Sequence, residues 1–460
     1  MGDARRRDPW LVLGVALAAR LAVVAWAHGR FPASEDGHFY DVLARRLASG
    51  AGYTWLWPDG AVTYAAHYPV GYPAILALAY AALGASATVA MVVNAVVGAL
   101  AAIAAYRLVD GPDVPRWRPL AAGLVVALHP ALVPYTAAVM TEGVTAALLF
   151  VAAALASGAR GTGRAWPWLL GLGVVMGVAT LVRPQSLLLA PVLGALAARP
   201  TAATRARLGR AIGTTVLALA CVAPWTARNC ARMNRCALVS VNGGWNLLIG
   251  AQSASGAWEP VTVPPECATT WDEAGKDVCF ERAARREIAA APAAWLARAP
   301  AKIAATLDYF GAAPWYLNAA NADAFGAVAK LWLAAIETIA CRALLLGALW
   351  AVARREGAKT RARTVVAVAG AVAAVTTHGW IGYVALVVGV ALLGRRAIAS
   401  APIVVPAAAA VIAATAVVHG AFFGAGRYGL VVVPFVAALA FTSCPRARRR
   451  LSREIATRAR

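Results

Sequence analysis

Long apolar runs constrain this sequence more than any other feature. Twelve windows of mostly alanine, valine and leucine are each close to the length that a membrane-crossing helix needs. They lie at 10–27, 86–106, 119–135, 141–157, 166–182, 185–198, 211–226, 331–353, 364–378, 380–394, 399–418 and 429–444. Hydrophobic residues make up 61% of the chain and charged residues only 14%, so a soluble globule could not bury this much apolar surface. The sequence predicts an all-α, polytopic integral membrane protein with about 12 transmembrane helices.

Three of these windows have an alternative interpretation. Window 10–27 follows Arg5, Arg6 and Arg7 as a signal peptide would, but no small-x-small cleavage site follows it. We therefore expect an uncleaved first transmembrane helix. Windows 364–378 and 380–394 are short, and one long tilted helix is the alternative to two helices.

The placement of the basic residues predicts which loops face the cytoplasm. The net charge is +22, yet the chain contains no nucleic-acid-binding motif, and its arginines cluster in short loops between apolar windows. With the N-terminus inside, every dense cluster falls on the cytoplasmic side, including the basic tail from Arg446. We therefore expect a multi-pass protein of the bacterial cytoplasmic (inner) membrane, with residues 28–85 and 227–328 outside, facing the periplasm or exterior.

Composition divides the chain into three parts. Residues 1–226 form an N-terminal transmembrane module that includes the first long loop, 28–85. Residues 227–328 are far more polar and are predicted to form a small, partly helical outer cap. Residues 329–460 contain the C-terminal helices and the basic tail.

The cysteines agree with this division. Cys221, Cys341 and Cys444 lie in apolar windows and are predicted to be inert packing residues. The other four lie in the cap on the oxidising side and predict two disulfides, with local pairing Cys230–Cys236 and Cys267–Cys279 as one of three connectivities. Their spacings do not match a zinc knuckle, which is the weaker alternative.

Polar residues at the outer ends of the apolar windows are the candidates for chemistry, because charges at a membrane boundary are costly and usually functional. Carboxylates together with arginines predict a site for an acceptor hydroxyl and an anionic group, since a guanidinium matches phosphate geometry. The candidates converge on one membrane face: Glu35, Asp36, His67, Tyr68, Glu142, Arg183, Arg228, Arg427 and Tyr428.

Each candidate also has a purely structural interpretation. Asp36 can cap the amphipathic helix that follows it, and Glu142 can start a helix through the dipole. Arg183 and Arg427 can reach lipid headgroups, and His67 can be a packed loop histidine. Their convergence on one face favours the functional interpretation.

A series of polar and aromatic motifs runs over nearly the whole chain: Asp36-x-x-x-Tyr40, Gly52-Tyr53, Tyr68-Pro69-Val70-Gly71-Tyr72-Pro73, Glu142, Val182-Arg183-Pro184, Pro224-Trp225, Arg228-Asn229, Asn242-Gly243-Gly244-Trp245 and Arg427-Tyr428-Gly429. The order of these motifs resembles that of GT-C glycosyltransferases. Within these, the chain is most similar to the RgtA/B/C/D-like and protein O-mannosyltransferase-like proteins and to the aminoarabinose transferases of lipid A.

The resemblance implies an enzyme that transfers a sugar from a polyprenyl-phosphate carrier, with inversion, to a lipid, polysaccharide or protein acceptor. Asp36 matches the family's first-loop aspartate, the proposed base. There are two departures: Glu35-Asp36 replaces the usual Asp-Glu or Asp-Asp, and Tyr68 stands where aminoarabinose transferases carry a phosphate-contacting lysine. Phosphate binding then falls to arginines or to a divalent metal ion, whose ligands the sequence does not identify.

Elementary chemistry agrees with this interpretation. A lipid-linked phosphosugar has a good leaving group, so the main requirement is a carboxylate that removes the acceptor proton. A nucleotide-sugar donor would need a phosphate-binding loop, which the sequence lacks. The competing class is a lipid flippase or secondary transporter, which usually shows internal repeats and interrupted helices at mid-membrane. Here the polarity is concentrated at one face, which favours the transferase.

Overall fold

The computed structural model describes residues 3–442. Cys444 and the basic tail from Arg446 therefore lie outside the described residues. The described chain is mostly helical, as expected of a polytopic membrane protein.

The N-terminal part carries nine helices, one hairpin and two 3₁₀ turns. These are α1 (Asp3–Ala27), α2 (Asp36–Ala48), β1 (Thr54–Leu56), β2 (Val62–Tyr64), α3 (Gly71–Leu83), α4 (Ala87–Val109), α5 (Trp117–Leu128), the 3₁₀ turn Pro134–Ala137, α6 (Thr141–Gly161), α7 (Trp166–Val182), the 3₁₀ turn Pro184–Leu189, α8 (Ala190–Leu196) and α9 (Thr204–Arg232).

The cap is built from short helices. These are α10 (Gly243–Gln252), α11 (Pro265–Ala268), α12 (Glu273–Ala290), α13 (Pro292–Ala297), α14 (Ala299–Leu307) and α15 (Ala312–Ala320).

The C-terminal part returns to long apolar helices. These are α16 (Ala327–Ala353), α17 (Thr360–Ala374), α18 (Trp380–Ala391), α19 (Arg395–Ser400), α20 (Val404–Ala421), the 3₁₀ turn Gly426–Val432 and α21 (Val433–Ala440).

Among residues 3–442, six helices are long and apolar enough to cross a membrane: Arg5–Ala27, Ala87–Val109, Thr141–Gly161, Thr204–Arg232, Ala327–Ala353 and Val404–Ala421. The all-helical polytopic class is therefore confirmed, but twelve full-length spans are not. Several predicted windows are shorter helices; α5, for example, stops before His129-Pro130, because proline disfavours helix at the preceding residue. Windows 364–378 and 380–394 correspond to two helices, α17 and α18, which pack on each other.

Alanine-rich faces hold the membrane helices together. Ala95, Ala99 and Ala102 on α4 are fully buried, as are Ala152 and Ala156 on α6, and these two helices pack against each other. Small side chains let helix backbones approach closely, which replaces the hydrophobic driving force that is missing between helices in lipid. This explains why a chain so poor in large side chains still forms a packed bundle.

The first long loop contains a β-hairpin that the sequence analysis did not predict. Strands β1 and β2 pair antiparallel, with Thr54 opposite Tyr64 and Leu56 opposite Val62. Gly60 closes the turn with φ of 85°, a conformation that favours glycine. The signal was present in the alternation of β-branched and aromatic residues around Pro58 and Gly60.

The two cap disulfides form with the local pairing, Cys230–Cys236 and Cys267–Cys279, so that prediction is confirmed. Cys221 and Cys341 are free thiols in membrane helices. We expect the four cap thiols to resist alkylation in membranes from intact cells until a reductant is added. Labelling of all four without reduction, followed by mass spectrometry of the cap peptides, would contradict the pairing.

Candidate active site

Asp36 opens α2 at a point of close backbone contact. A Cβ on the next residue, Gly37, would lie 2.6 Å from the carbonyl oxygen of Val139 and 3.1 Å from the hydroxyl of Tyr316. Only glycine fits this approach, so the start of α2 lies directly against the segment that leads into α6. This contact brings Asp36 toward Glu142, which lies in the first turn of α6.

The structure does not support the capping interpretation of Asp36. Asp36 is the first residue of α2, Glu35 occupies the cap position, and no side chain caps this helix end. Glu35 has φ of 53°, a strained value for a residue with a side chain. The Asp36 carboxylate is thus free of a local helix role and is available to the site.

A second close contact brings Tyr68 and Arg183 together. A Cβ on Gly71, at the start of α3, would lie 2.5 Å from backbone atoms of Leu181 and Val182 at the end of α7. The glycine in the Tyr-Pro-Val-Gly-Tyr-Pro run therefore lets the first long loop sit on the end of α7. Both Tyr68 and Arg183 then face the same cavity.

Two carboxylates and two arginines form an alternating charge cluster. Arg427 Nη2 lies 2.8 Å from Asp36 Oδ2, and Arg427 Nε lies 3.6 Å from Glu142 Oε1. Arg183 Nη1 lies 3.2 Å from the same Glu142 oxygen. Glu142 is buried, whereas 34% of the Asp36 side chain is exposed. Glu142 therefore holds both arginines in place, and Asp36 is the carboxylate that faces open space.

Aromatic side chains surround this cluster. The Tyr135 hydroxyl donates a hydrogen bond of 2.8 Å to Glu142, and the Tyr68 hydroxyl lies 3.5 Å from Asp36 Oδ1. Both guanidinium groups stack near the Tyr428 ring, Arg183 at 4.9 Å and Arg427 at 5.1 Å from its centroid. These contacts fix the arginine planes and restrict water around them, which strengthens their attraction for an anion.

The cluster lies in a cavity of about 730 Å³. Its lining has three parts: the charged cluster, an apolar side and a side that belongs to the cap. The apolar side includes Leu187, Leu188, Pro191, Val418 and Phe422. A cavity that joins fixed cations to an apolar surface suits an amphiphile with an anionic head.

Seven of the nine predicted site residues line this cavity: Asp36, His67, Tyr68, Glu142, Arg183, Arg427 and Tyr428. Glu35 and Arg228 are not among its lining residues. Glu35 is exposed. Arg228 donates hydrogen bonds of 2.8 Å to the backbone carbonyls of Ala65 and Tyr53, so its guanidinium braces the first long loop instead of binding an anion.

Glu273 is a cap residue that sequence reasoning missed. Its carboxylate accepts hydrogen bonds from the backbone amides of Ala66 and His67 and from the Trp55 indole. Burial lowers the pKa of His67, and the nearby carboxylates of Glu273, Asp277 and Asp36 oppose this. Glu273 therefore positions the backbone that leads into Tyr68. Because it lies more than 200 residues from the loop it holds, no local pattern could have revealed it.

The described residues do not form an evident metal site. Between residues 3 and 442, no group of three or more histidine, cysteine or carboxylate side chains is placed to hold a metal ion. The two cavity carboxylates are already paired with arginines. This donor set does not fit a resident divalent cation.

Residues 67–227 match the family model of dolichyl-phosphate-mannose-protein mannosyltransferase. The matched range contains Tyr68, Glu142 and Arg183, whereas Asp36 and Arg427 lie outside it. Over these residues, the match agrees with the resemblance to protein O-mannosyltransferase-like proteins. No curated protein matches the chain.

Solved structures with a similar course of the chain include AglB and ArnT. One is the archaeal oligosaccharyltransferase AglB from Archaeoglobus fulgidus, in complex with an inhibitory peptide and a dolichol-phosphate; it is 14% identical, with a TM-score of 0.44 over 94% of this chain and 50% of that chain. The other is ArnT from Cupriavidus metallidurans bound to undecaprenyl phosphate. It is 14% identical, and the similarity covers 94% of the present chain and 76% of ArnT with a TM-score of 0.38. The present chain thus spans half the length of the archaeal protein.

Proposed function

We propose that this protein is a membrane glycosyltransferase that moves a sugar from a polyprenyl-phosphate carrier to an acceptor hydroxyl. The observation that carries the proposal is the single cavity in which Asp36 and Glu142 meet Arg183 and Arg427. One of the carboxylates faces open space, and both cations lie beside an apolar surface. This is the set of groups that the chemistry requires.

The proposed reaction is a single displacement at the anomeric carbon. The acceptor oxygen forms a bond to this carbon while its proton passes to the Asp36 carboxylate. The bond from the carbon to the carrier phosphate breaks, and its electron pair leaves with the phosphate. Attack opposite the leaving group inverts the anomeric configuration. A positioned carboxylate base contributes about 10²- to 10⁴-fold to such a step.

Arg183 and Arg427 stabilise the charge that grows on the departing phosphate. Each is already oriented by Glu142 and by the Tyr428 ring. Fixed cations act strongly in a site from which water is largely excluded, because no solvent needs to reorganise during the reaction. The lipid tail of the carrier is expected to follow the apolar side near Leu188 and Phe422.

We further propose that the cavity opens on the outer side of a bacterial cytoplasmic membrane. The arginine clusters in the short loops support this orientation. Reporter fusions after Gly60 and after Gly275 are expected to be active only when the reporter requires the outer compartment. A cytoplasmic signal at Gly275 would overturn the orientation and the outward-facing site with it.

The test of the function is the product. Envelope glycolipids and glycoproteins from cells with and without this protein are compared by mass spectrometry, and cells expressing wild-type protein are expected to carry an additional sugar on one class of molecule. An unchanged set of products together with altered distribution of a lipid across the bilayer would contradict the transferase and indicate a flippase.

A further inference from the structure

The side of the cavity contributed by the cap differs in character from the rest. Every cap residue that lines the cavity is uncharged, whereas Asp36, Glu142, Arg183 and Arg427 come from the first long loop and from the ends of membrane helices. Two cap carboxylates lie near this side, but neither lines the cavity. Glu259 accepts hydrogen bonds from the backbone amides of Ala254 and Ser255, and Asp277 accepts them from the backbone amides of Gly244 and Trp245.

Two tryptophans line this side of the cavity. Trp258 is 55% exposed, and its backbone is held beside the site because the preceding residue, Ala257, pairs with Gly424 in a parallel bridge. Trp245 packs against Phe280, with 5.0 Å between ring centroids. The Trp245 ring and the Trp258 backbone are therefore positioned before a ligand binds, which lowers the ordering cost of binding.

Neutral hydrogen-bonding groups beside these rings lack partners. Within residues 3–442, the side-chain amide of Asn246 forms no hydrogen bond. The Asn242 side chain accepts a hydrogen bond of 2.9 Å from Ser240, which leaves its NH₂ donors unused in the same described part of the chain. An amide both donates and accepts, as a sugar hydroxyl does. The available groups thus match a polyol better than an ion.

We propose that this surface, which consists of Ser240, Asn242, Trp245, Asn246 and Trp258 and which we call the cap wall, binds a pyranose ring without ionic substituents. The inference rests on the proposed function, because it names the class of sugar used there. The C–H face of a pyranose packs on an aromatic ring, whose face carries partial negative charge. An ammonium or carboxylate group would lose its hydration against an uncharged wall without gaining a partner.

The test measures binding of three simple sugars to the full-length protein in detergent by saturation-transfer NMR titration. The probes are methyl glucopyranoside, methyl 2-amino-2-deoxyglucopyranoside and methyl glucuronide. The neutral glycoside is expected to bind most tightly. Trp258→Ala should weaken it by about tenfold, the scale of one aromatic contact. Trp271→Ala is the matched control, because Trp271 is a cap tryptophan that is 86% exposed and does not line the cavity.

A charge placed on the wall provides a second readout that a merely structural role would not move. Asn246→Asp is expected to shift the preference toward the amino sugar, because the new carboxylate supplies the missing partner. Equal affinity of the wild-type protein for all three glycosides would overturn the inference. So would absence of binding of the neutral glycoside, or equal effects of Trp258→Ala and Trp271→Ala.

The bound pyranose is part of either the donor or the acceptor, and a competition experiment distinguishes the two. Displacement of methyl glucopyranoside by undecaprenyl-phosphate-glucose but not by undecaprenyl phosphate assigns the wall to the donor sugar. Simultaneous binding of glycoside and lipid-linked sugar assigns it to the acceptor. If the wild-type protein binds no undecaprenyl phosphate but still binds the glycoside in a way that depends on Trp258, the transferase is refuted and the sugar-binding cap wall stands.

Discussion

Asp36→Asn is expected to lower the rate of sugar transfer by about two to four orders of magnitude, with normal amounts of protein in the membrane. The Asp36 carboxylate faces the cavity and lies 2.8 Å from Arg427. Asparagine keeps the size of the side chain but cannot take the acceptor proton. The protein should still fold, because α2 has no side-chain cap that depends on this carboxylate. Formation of the product found by mass spectrometry is the measurement.

Glu35→Gln is the matched control for this prediction. Glu35 is the adjacent carboxylate, but it is exposed and does not line the cavity. We expect its variant to transfer sugar at close to the wild-type rate. Wild-type rates in a well-folded Asp36→Asn protein would remove Asp36 as the base, and equal losses in both variants would point to the loop conformation instead.

The sequence was sufficient to predict the membrane class and most of the charged residues that line the candidate cavity. Apolar windows and arginine clusters are repeated signals, so an error in one window does not alter the class. Asp36, Glu142, Arg183 and Arg427 could be singled out because a charge at the end of an apolar window is rare without a reason. Their convergence followed from helix ends alone, without knowledge of any contact.

The pairing of these residues could not be predicted, because it depends on approaches between distant backbones. Two close contacts, Gly37 with Val139 and Gly71 with Leu181, set the relative positions of three segments. Each contact requires a residue that has no side chain. Arg228 illustrates the limit: it has the same boundary position in sequence as Arg183, yet its donors go to the carbonyls of Ala65 and Tyr53.

Short helices were also difficult to predict from hydropathy. Helix α3 is apolar but spans only 13 residues, so it is too short for a membrane-crossing window and falls within the predicted loop 28–85. The hairpin nearby has strands of three residues each. Elements this short are stabilised by tertiary contacts and not by their own periodicity, so a window long enough to detect a membrane span averages them away.

Arg427→Ala is expected to raise the apparent KM for the lipid-linked donor by roughly 10- to 100-fold, the effect of losing a hydrogen bond to a charged group. Arg427 is the one residue that contacts both Asp36 and Glu142 among the described ion pairs of the site. Its removal leaves Glu142 paired with Arg183 at 3.2 Å and leaves Asp36 facing the open cavity. The fold therefore has no buried charge newly without a partner. The loss should appear in donor binding and also in the rate of transfer, because the charge on the phosphate grows in the transition state.

Arg427→Lys separates geometry from charge. An ammonium keeps the charge but cannot make the two-pronged contact of a guanidinium with phosphate, so rescue should be partial.

Arg30→Ala tests the lipid-anchor alternative, because Arg30 is exposed just beyond the end of α1. The Arg30→Ala variant should have an unchanged KM for the donor. Unchanged donor KM in both Arg183→Ala and Arg427→Ala would return these arginines to the role of headgroup anchors. Full rescue by lysine would show that the phosphate senses only a point charge.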